Sequence, residues 1–227
     1  MRGGWRTVPS DGNLAGPALS TLAPTATPGG MIDIAVLASG TGTNLAALLD
    51  LPEVREHICL VVSDRADAGA LDLARRAGIP ARVVQFGDFP DRRSFSLAVA
   101  DAVEQAGAKG VVLAGFMRIL SPEFCDRFPG QILNIHPSLL PRFPGARAVE
   151  AALEAGVEVT GVTVHFVDEQ VDHGPVIRQE EVPVFPDDDA DTLHQRIKTV
   201  EHRIYPEVVA QFVSGRLRLD GDRVVTA

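Results

Sequence analysis

From Ile32 to His136, short β-branched apolar runs alternate with stretches of helical spacing. IDIAVLA (32–38), HICLVVS (57–63), ARVVQF (81–86), GVVLAG (110–115) and QILNIH (131–136) read as strands. LAALLD (45–50), DAGALDLARRAG (67–78), SFSLAVADAVEQAG (94–107) and SPEFCDRF (121–128) read as helices between them. Gly78-Ile79-Pro80 is a helix stop, and Ser121-Pro122 is a helix start. Strands alternating with helices specify βαβ units, hence an α/β, doubly wound, Rossmann-like fold with a mostly parallel sheet. In such a sheet, ligands bind at the carboxyl ends of the strands.

The second half changes character. After a helix near 146–156, VEVTGVTVHFV (157–167) and VIRQEEVPV (176–184) are separated only by DEQVDHGP and can pair, giving the sheet an antiparallel C-terminal portion. A long helix is expected over about 189–213, with the acidic PDDDAD (186–191) as its solvated start, where negative charge suits the helix dipole. Asp220-Gly221 between two β-prone runs signals a hairpin. Residues 1–30, rich in Gly, Pro, Thr, Ala and Ser without periodicity, read as a flexible N-terminal extension. A start at Met31 would explain that extension simply, and residues 31–227 are expected to form a single domain.

Composition narrows the function classes. A net charge of −9 disfavours nucleic acid as a partner but leaves room for a small anion held by a few local donors. No uncharged apolar run approaches the roughly 18 residues of a membrane span. Cys59 and Cys125 are far apart and in no CxxC pattern, as expected of free thiols in a reducing cytoplasm.

Three motifs carry chemistry. SGTGTNL (39–45) follows the first strand and opens a helix. Glycines admit a close anion and the helix start supplies free N–H groups, so the stretch is either a phosphate cradle or a plain strand-to-helix turn. A dinucleotide fingerprint would need its third glycine at Leu45, although Asp64 imitates the ribose-binding acid. The GK[ST] ending of a Walker loop is also missing. The second motif is Asn134-Ile135-His136-Pro137. Residues i and i+2 of a strand share a face, and Asn and His together can hold a developing oxyanion. The alternative is a satisfied core histidine beside a polar strand end. The third is Asp172-His173-Gly174, where an acid can orient an imidazole and favour its cation, or simply populate an exposed turn. His136, His165, Asp172 and His173 are ligand types for zinc, but in no familiar spacing, so no metal is assigned. FMRILS (116–121) brings apolar side chains and Arg118 to the crevice, either as a ligand wall or as core packing with a surface arginine.

Taken together, SGTGTNL, VVLAGFMRILSPEF (111–124), LNIHPSLLPRFPG (133–145), GVTVHFVDEQVDHGPVI (161–177) and EHRIYP (201–206) resemble the phosphoribosylglycinamide formyltransferases of purine synthesis, from Met31 almost to the end of the chain. The resemblance implies the formyltransferase fold. It implies two small-molecule substrates, glycinamide ribonucleotide and the co-substrate 10-formyltetrahydrofolate, and no metal. It implies that Asn134 and His136 hold the formyl oxygen, while Asp172 orients the imidazole and, with a water, relays the proton leaving the amine. Gly42, Thr43 and Asn44 would cradle the phosphate, and Glu201 the ribose or glycinamide side. Met117, Arg118, Ile119, Leu120, Val167 and Val171 would wall the folate pocket, with Arg92, or the equally placed Arg93, meeting the folate glutamate. His173 departs from the pattern, which usually has a small residue there, and the first thirty residues have no counterpart. The family contains dimers, so the resemblance extends to a homodimer. A methionyl-tRNA formyltransferase would add a basic domain of about a hundred residues, and a formyltetrahydrofolate hydrolase would use the same three residues with water as acceptor. A nicotinamide-dependent dehydrogenase needs the complete glycine fingerprint, and a non-catalytic binding module gives no reason for Asn134, His136 and Asp172 to occur together.

Overall fold

The computed structural model describes residues 30–226, so the extension expected over 1–30 lies, apart from Gly30, outside the described residues. Seven strands form one sheet: β1 (Ile34–Leu37), β2 (Ile58–Ser63), β3 (Ala81–Val83), β4 (Gly110–Leu113), β5 (Ile132–His136), β6 (Val159–Phe166) and β7 (Val176–Pro183), in the order β3-β2-β1-β4-β5-β6-β7. The pairs from β3 through β5 are parallel, while β5–β6 and β6–β7 are antiparallel, as the change in sequence character predicts. The central strands are buried on both faces. Ile34 and Val36 face one core and Ala35 and Leu37 the other, which is why these runs are continuously apolar rather than alternating.

Helices α1 (Thr43–Leu49), α2 (Pro52–Arg55), α3 (Gly69–Arg76), α4 (Arg92–Gln105), α5 (Pro122–Arg127), α6 (Ala148–Glu154) and α7 (Ala190–Val213) cover the sheet. Leu45 and Leu48 of α1 share the first core with Ile197, Ile204 and Val208 of α7. Phe95, Val99 and Val103 of α4 share the second with Phe124 of α5. Each such apolar side chain contributes about 1.5–3 kcal/mol by leaving water. A capping box starts α7: Asp189 accepts from the N–H of Thr192 (2.8 Å), whose hydroxyl accepts from the N–H of Asp189 (2.9 Å).

The differences from the sequence reading are local. The third strand ends at Val83, and Phe86–Asp88 form a single 3-10 turn. Helix α4 begins two residues early because the Asp91 side chain accepts from the N–H of Ser94, which puts Arg92 and Arg93 in its first turn. The four-residue α2, started by Pro52, is too short to show a period. In the C-terminal hairpin of β8 (Leu217–Asp220) and β9 (Arg223–Thr226), Asp220 pairs with Arg223, so the turn is Gly221-Asp222, one residue later than expected.

Candidate active site

Strand order reverses between β1 and β4, and the loops leaving their carboxyl ends meet there. Ser39 N–H donates to the Gly115 carbonyl (3.1 Å), and Met117 N–H donates to the Ser39 hydroxyl (2.8 Å). The SGTGTN loop and the FMRIL loop are thus joined at the switch point of the sheet.

The cleft beside this point is floored by the end of β5. Asn134 and His136 share a face, and across the antiparallel ladder they stand opposite His165 and Thr163. Nδ1 of His165 lies 2.8 Å from the Phe166 carbonyl. A carbonyl only accepts, so Nδ1 carries the hydrogen. Burial pushes the His165 pKa down and keeps the ring neutral, so its Nε2 accepts from Asn134 Nδ2 at 3.1 Å. The other Asn134 hydrogen reaches Asp172 Oδ1 at 3.3 Å. This network fixes the amide orientation and occupies both of its donors.

His136 is 5% exposed, and its Nε2 donates to the Phe143 carbonyl at 2.8 Å. Its Nδ1 faces Asp172 Oδ2 at 3.3 Å. Asp172 Oδ2 also accepts from Gly145 N–H at 2.7 Å. Phe143 (φ 54°) and Asp172 (φ 52°), both partners of His136, are the non-glycine residues with left-handed backbone among those described. Such strain persists only where surroundings enforce it. Gly174 helps enforce it at Asp172, because a Cβ there would collide with the Phe166 carbonyl.

The wall of the cleft comes from two loops. Met117, Arg118, Ile119, Leu120, Val167 and Val171 all line it with Asn134, His136 and Asp172. Met117 is 67% exposed, Ile119 55% and Val171 49%, so these side chains are an open apolar rim rather than core packing. Arg92 and Arg93 do not line the cleft; Arg93 is bonded to Glu123 at 2.7 Å. Asp64, which imitated a ribose acceptor, is bonded through Oδ2 to Arg118 Nε (2.7 Å).

Gly42, Thr43, Asn44 and Glu201 form a second group at the start of α1. No side chain caps this helix, so its first-turn N–H groups are left for another acceptor. Gly42 has φ 82°, and a Cβ there would lie 2.8 Å from Ala70 Cα. Asn44 Nδ2 donates to Glu201 Oε2 at 3.0 Å, and Asn44 Oδ1 is buried without a partner. Burial raises the Glu201 pKa, opposed by the Asn44 hydrogen bond and by the charge of Lys198. One turn on, the Tyr205 hydroxyl donates to the Leu113 carbonyl at 2.8 Å, fastening α7 to the end of β4.

His165, Phe143, Gly145 and Lys198 escaped the sequence reading as parts of these two groups. A signal existed only for His165, which sits two residues beyond Thr163 on a strand that pairs with Asn134 and His136. Among the described residues, no group of three or more His, Cys, Asp or Glu side chains is arranged to hold a metal, and no helix is long and apolar enough to cross a membrane.

Comparison with known proteins converges on one family. The profile of the family described as "Formyl transferase" matches residues 32–209. The "Trifunctional purine biosynthetic protein adenosine-3" of Bos taurus is 48% identical over 189 residues, covering 82% of this chain and 19% of its own length. The chain thus spans about a fifth of such relatives. The "Phosphoribosylglycinamide formyltransferase" of Escherichia coli is 42% identical over 203 residues, covering 85% of this chain and 96% of its own. The crystal structure of glycinamide ribonucleotide transformylase 1 from Symbiobacterium toebii has a TM-score of 0.82 at 48% identity, covering 86% of this chain and 94% of its own.

Proposed function

Because the chain belongs to the formyl transferase family, we propose that it transfers the formyl group of 10-formyltetrahydrofolate to the amine of glycinamide ribonucleotide. The observation that carries this reading is the convergence of Asn134, His136 and Asp172 on the floor of an apolar-rimmed cleft. An aromatic co-substrate fits the rim, and a phosphate fits the uncapped start of α1 beside Glu201. Lys198, whose charge acts on Glu201 from the same helix, adds a cation to that group.

In the proposed step the substrate amine attacks the formyl carbon and a C–N bond forms. Negative charge builds on the formyl oxygen, where hydrogen bonds from Asn134 and the His136 imidazole stabilise it. Collapse breaks the bond to N10 of the folate. The amine gives up one proton through Asp172 and a water, and N10 gains one, so the products are the formamide and tetrahydrofolate. The nucleophile belongs to the substrate, and no activated side chain is required. Both thiols suit a spectator role. They are free and partly buried, and burial pushes the Cys125 pKa up to about 11. A cytoplasmic location and a homodimer belong to the same reading, with dimerisation read by light scattering.

The test is a formyl-transfer assay in EDTA, with and without the ribonucleotide. Tetrahydrofolate released only when the ribonucleotide is present supports the transferase. Equal release without it would make the protein a formyltetrahydrofolate hydrolase. Silence with this acceptor and activity with another amine would make it a different folate-dependent formyltransferase.

A further inference from the structure

Asp64 has no part in the proposed reaction, yet it is built into the crevice. It follows β2 directly, and its side chain is 2% exposed. Oδ1 is buried with no hydrogen-bond partner, and Oδ2 accepts from Arg118 Nε at 2.7 Å. A buried carboxylate demands a cation. The sequence neighbour Arg65 does not serve, because two hydrogen bonds turn it to Asp67 (3.1 and 2.9 Å). The cation comes instead from the loop after β4, so the pair ties the two sides of the switch point together.

The bond to Nε also sets the guanidinium plane. Arg118 Cζ lies 4.8 Å from the centroid of the Phe86 ring. With one edge clamped and one face stacked, the terminal N–H edge is left without a protein acceptor among the described residues, on a side chain 42% exposed. Arg118 lines both the cleft described above and the cavity beside it, which Ser39, Gly40 and Asp64 also bound. A fixed guanidinium edge at a cleft suits a carboxylate held by two parallel hydrogen bonds.

We propose that Asp64 is a positioning and specificity residue. It clamps Arg118 so that the free guanidinium edge meets a carboxylate of the formyl donor's acidic tail, and its own charge limits how strongly further tail carboxylates are bound. The proposal rests on the folate reading above. It makes Asp64 a part of co-substrate selection, in the place where a dehydrogenase would use an acid to read a ribose.

Steady-state kinetics of the full chain with 10-formyltetrahydrofolate monoglutamate and pentaglutamate test it. Asp64→Ala loses both the clamp and the charge, so it should raise the KM of the monoglutamate about tenfold, the scale of one charge-assisted hydrogen bond, raise that of the pentaglutamate less, and leave kcat and the ribonucleotide KM within about twofold. Asp64→Asn keeps an acceptor for Nε and loses the charge. Its KM for the monoglutamate should stay within about twofold, and its KM for the pentaglutamate should fall about threefold at low salt. Should Asp64→Ala not fold, Asp64→Asn decides alone. Donor KM values unchanged in Asp64→Ala, a pentaglutamate KM unchanged in Asp64→Asn, or a loss shared equally by kcat and the ribonucleotide KM, would overturn the role of Asp64 while leaving the folate reading intact. A wild-type chain that turns over neither donor would remove the folate reading and this inference with it.

Discussion

His136 Nε2 donates to the Phe143 carbonyl and Nδ1 faces Asp172, so a ligand oxygen that takes a hydrogen bond from this ring must displace one of them. Both hydrogens of the Asn134 amide are engaged as well. The donors are held ready by weak or strained partners: two contacts at 3.3 Å and a carbonyl on a left-handed residue. His136→Ala should therefore lower kcat by at least ~10²-fold, the scale of one lost oxyanion donor, in the formyl-transfer assay. Unchanged turnover would take His136 out of the mechanism. Asp172→Asn keeps the shape and the acceptor for Gly145 N–H but removes the charge facing the ring. It should lower kcat on the same scale of ~10²-fold and leave calorimetric binding of the ribonucleotide unchanged, since the phosphate-side group lies elsewhere. An equal loss of both would make Asp172 a structural residue. Asn134 and His136 were legible because a strand's period puts i and i+2 on one face just before a proline. For His165 the strand spacing was visible but its place beside Asn134 was not, because that depends on the register of two strands more than twenty residues apart in sequence.

At the scale of elements, the phosphate-side group depends on how α1 starts and on what α7 brings to it. Gly42 is the hinge of that start: its backbone is left-handed and a Cβ would press on α3 at Ala70 and Leu73. Gly42→Ala should cost about 1–2 kcal/mol of stability in denaturant unfolding, the cost of a left-handed non-glycine residue. It should also raise the ribonucleotide KM without changing the donor KM. A rise in both would mean that the two loops at the switch point move as one body. The SGTGTN start was legible because glycines after a strand and before a helical period have few other uses. The Asn44–Glu201 bond was not, since it joins residues 157 apart and depends on α7 crossing back over α1. The sequence of the loop 168–174 offers both an acid able to orient an imidazole and an exposed acidic turn, but not the backbone that decides between them. Its left-handed Asp172 and its glycine pressed against Phe166 are consequences of packing on β6, invisible to local composition.

The whole molecule carries two kinds of imbalance, one in its buried ionisable groups and one in its sequence. Burial lowers the pKa of His165, His194 and His202 from the ordinary 6.5. Below that value the unfolded chain takes up protons that the folded rings resist, so stability is lost as pH falls through 6.5 towards the depressed folded values. Glu201, raised by burial, works in the opposite sense: the folded chain holds its proton above the ordinary 4.5, which favours folding as pH falls. Three rings oppose one carboxyl, so the melting temperature should drop between pH 7.5 and 5.5, and His165→Gln should flatten that slope. An identical slope in the variant would show that His165 titrates alike in both states. The strand order was legible from the alternation of periods, because parallel units admit few arrangements around one switch point. The N-terminal thirty residues stand apart from that logic. They show no period, while Ile32 N–H is tied to the Val213 carbonyl at the end of α7 (2.9 Å), and the family match begins at residue 32. β1 is then gripped by β2 and β4 on both sides, so the central strand has its partners without any upstream residue. We propose that residues 31–227 fold and act as a unit. Deleting residues 1–30 should leave both the melting temperature and the turnover of the formyl-transfer assay unchanged. A fall in melting temperature with turnover intact would show that the extension packs on the domain away from the cleft. A fall in turnover alone would put the extension at the site.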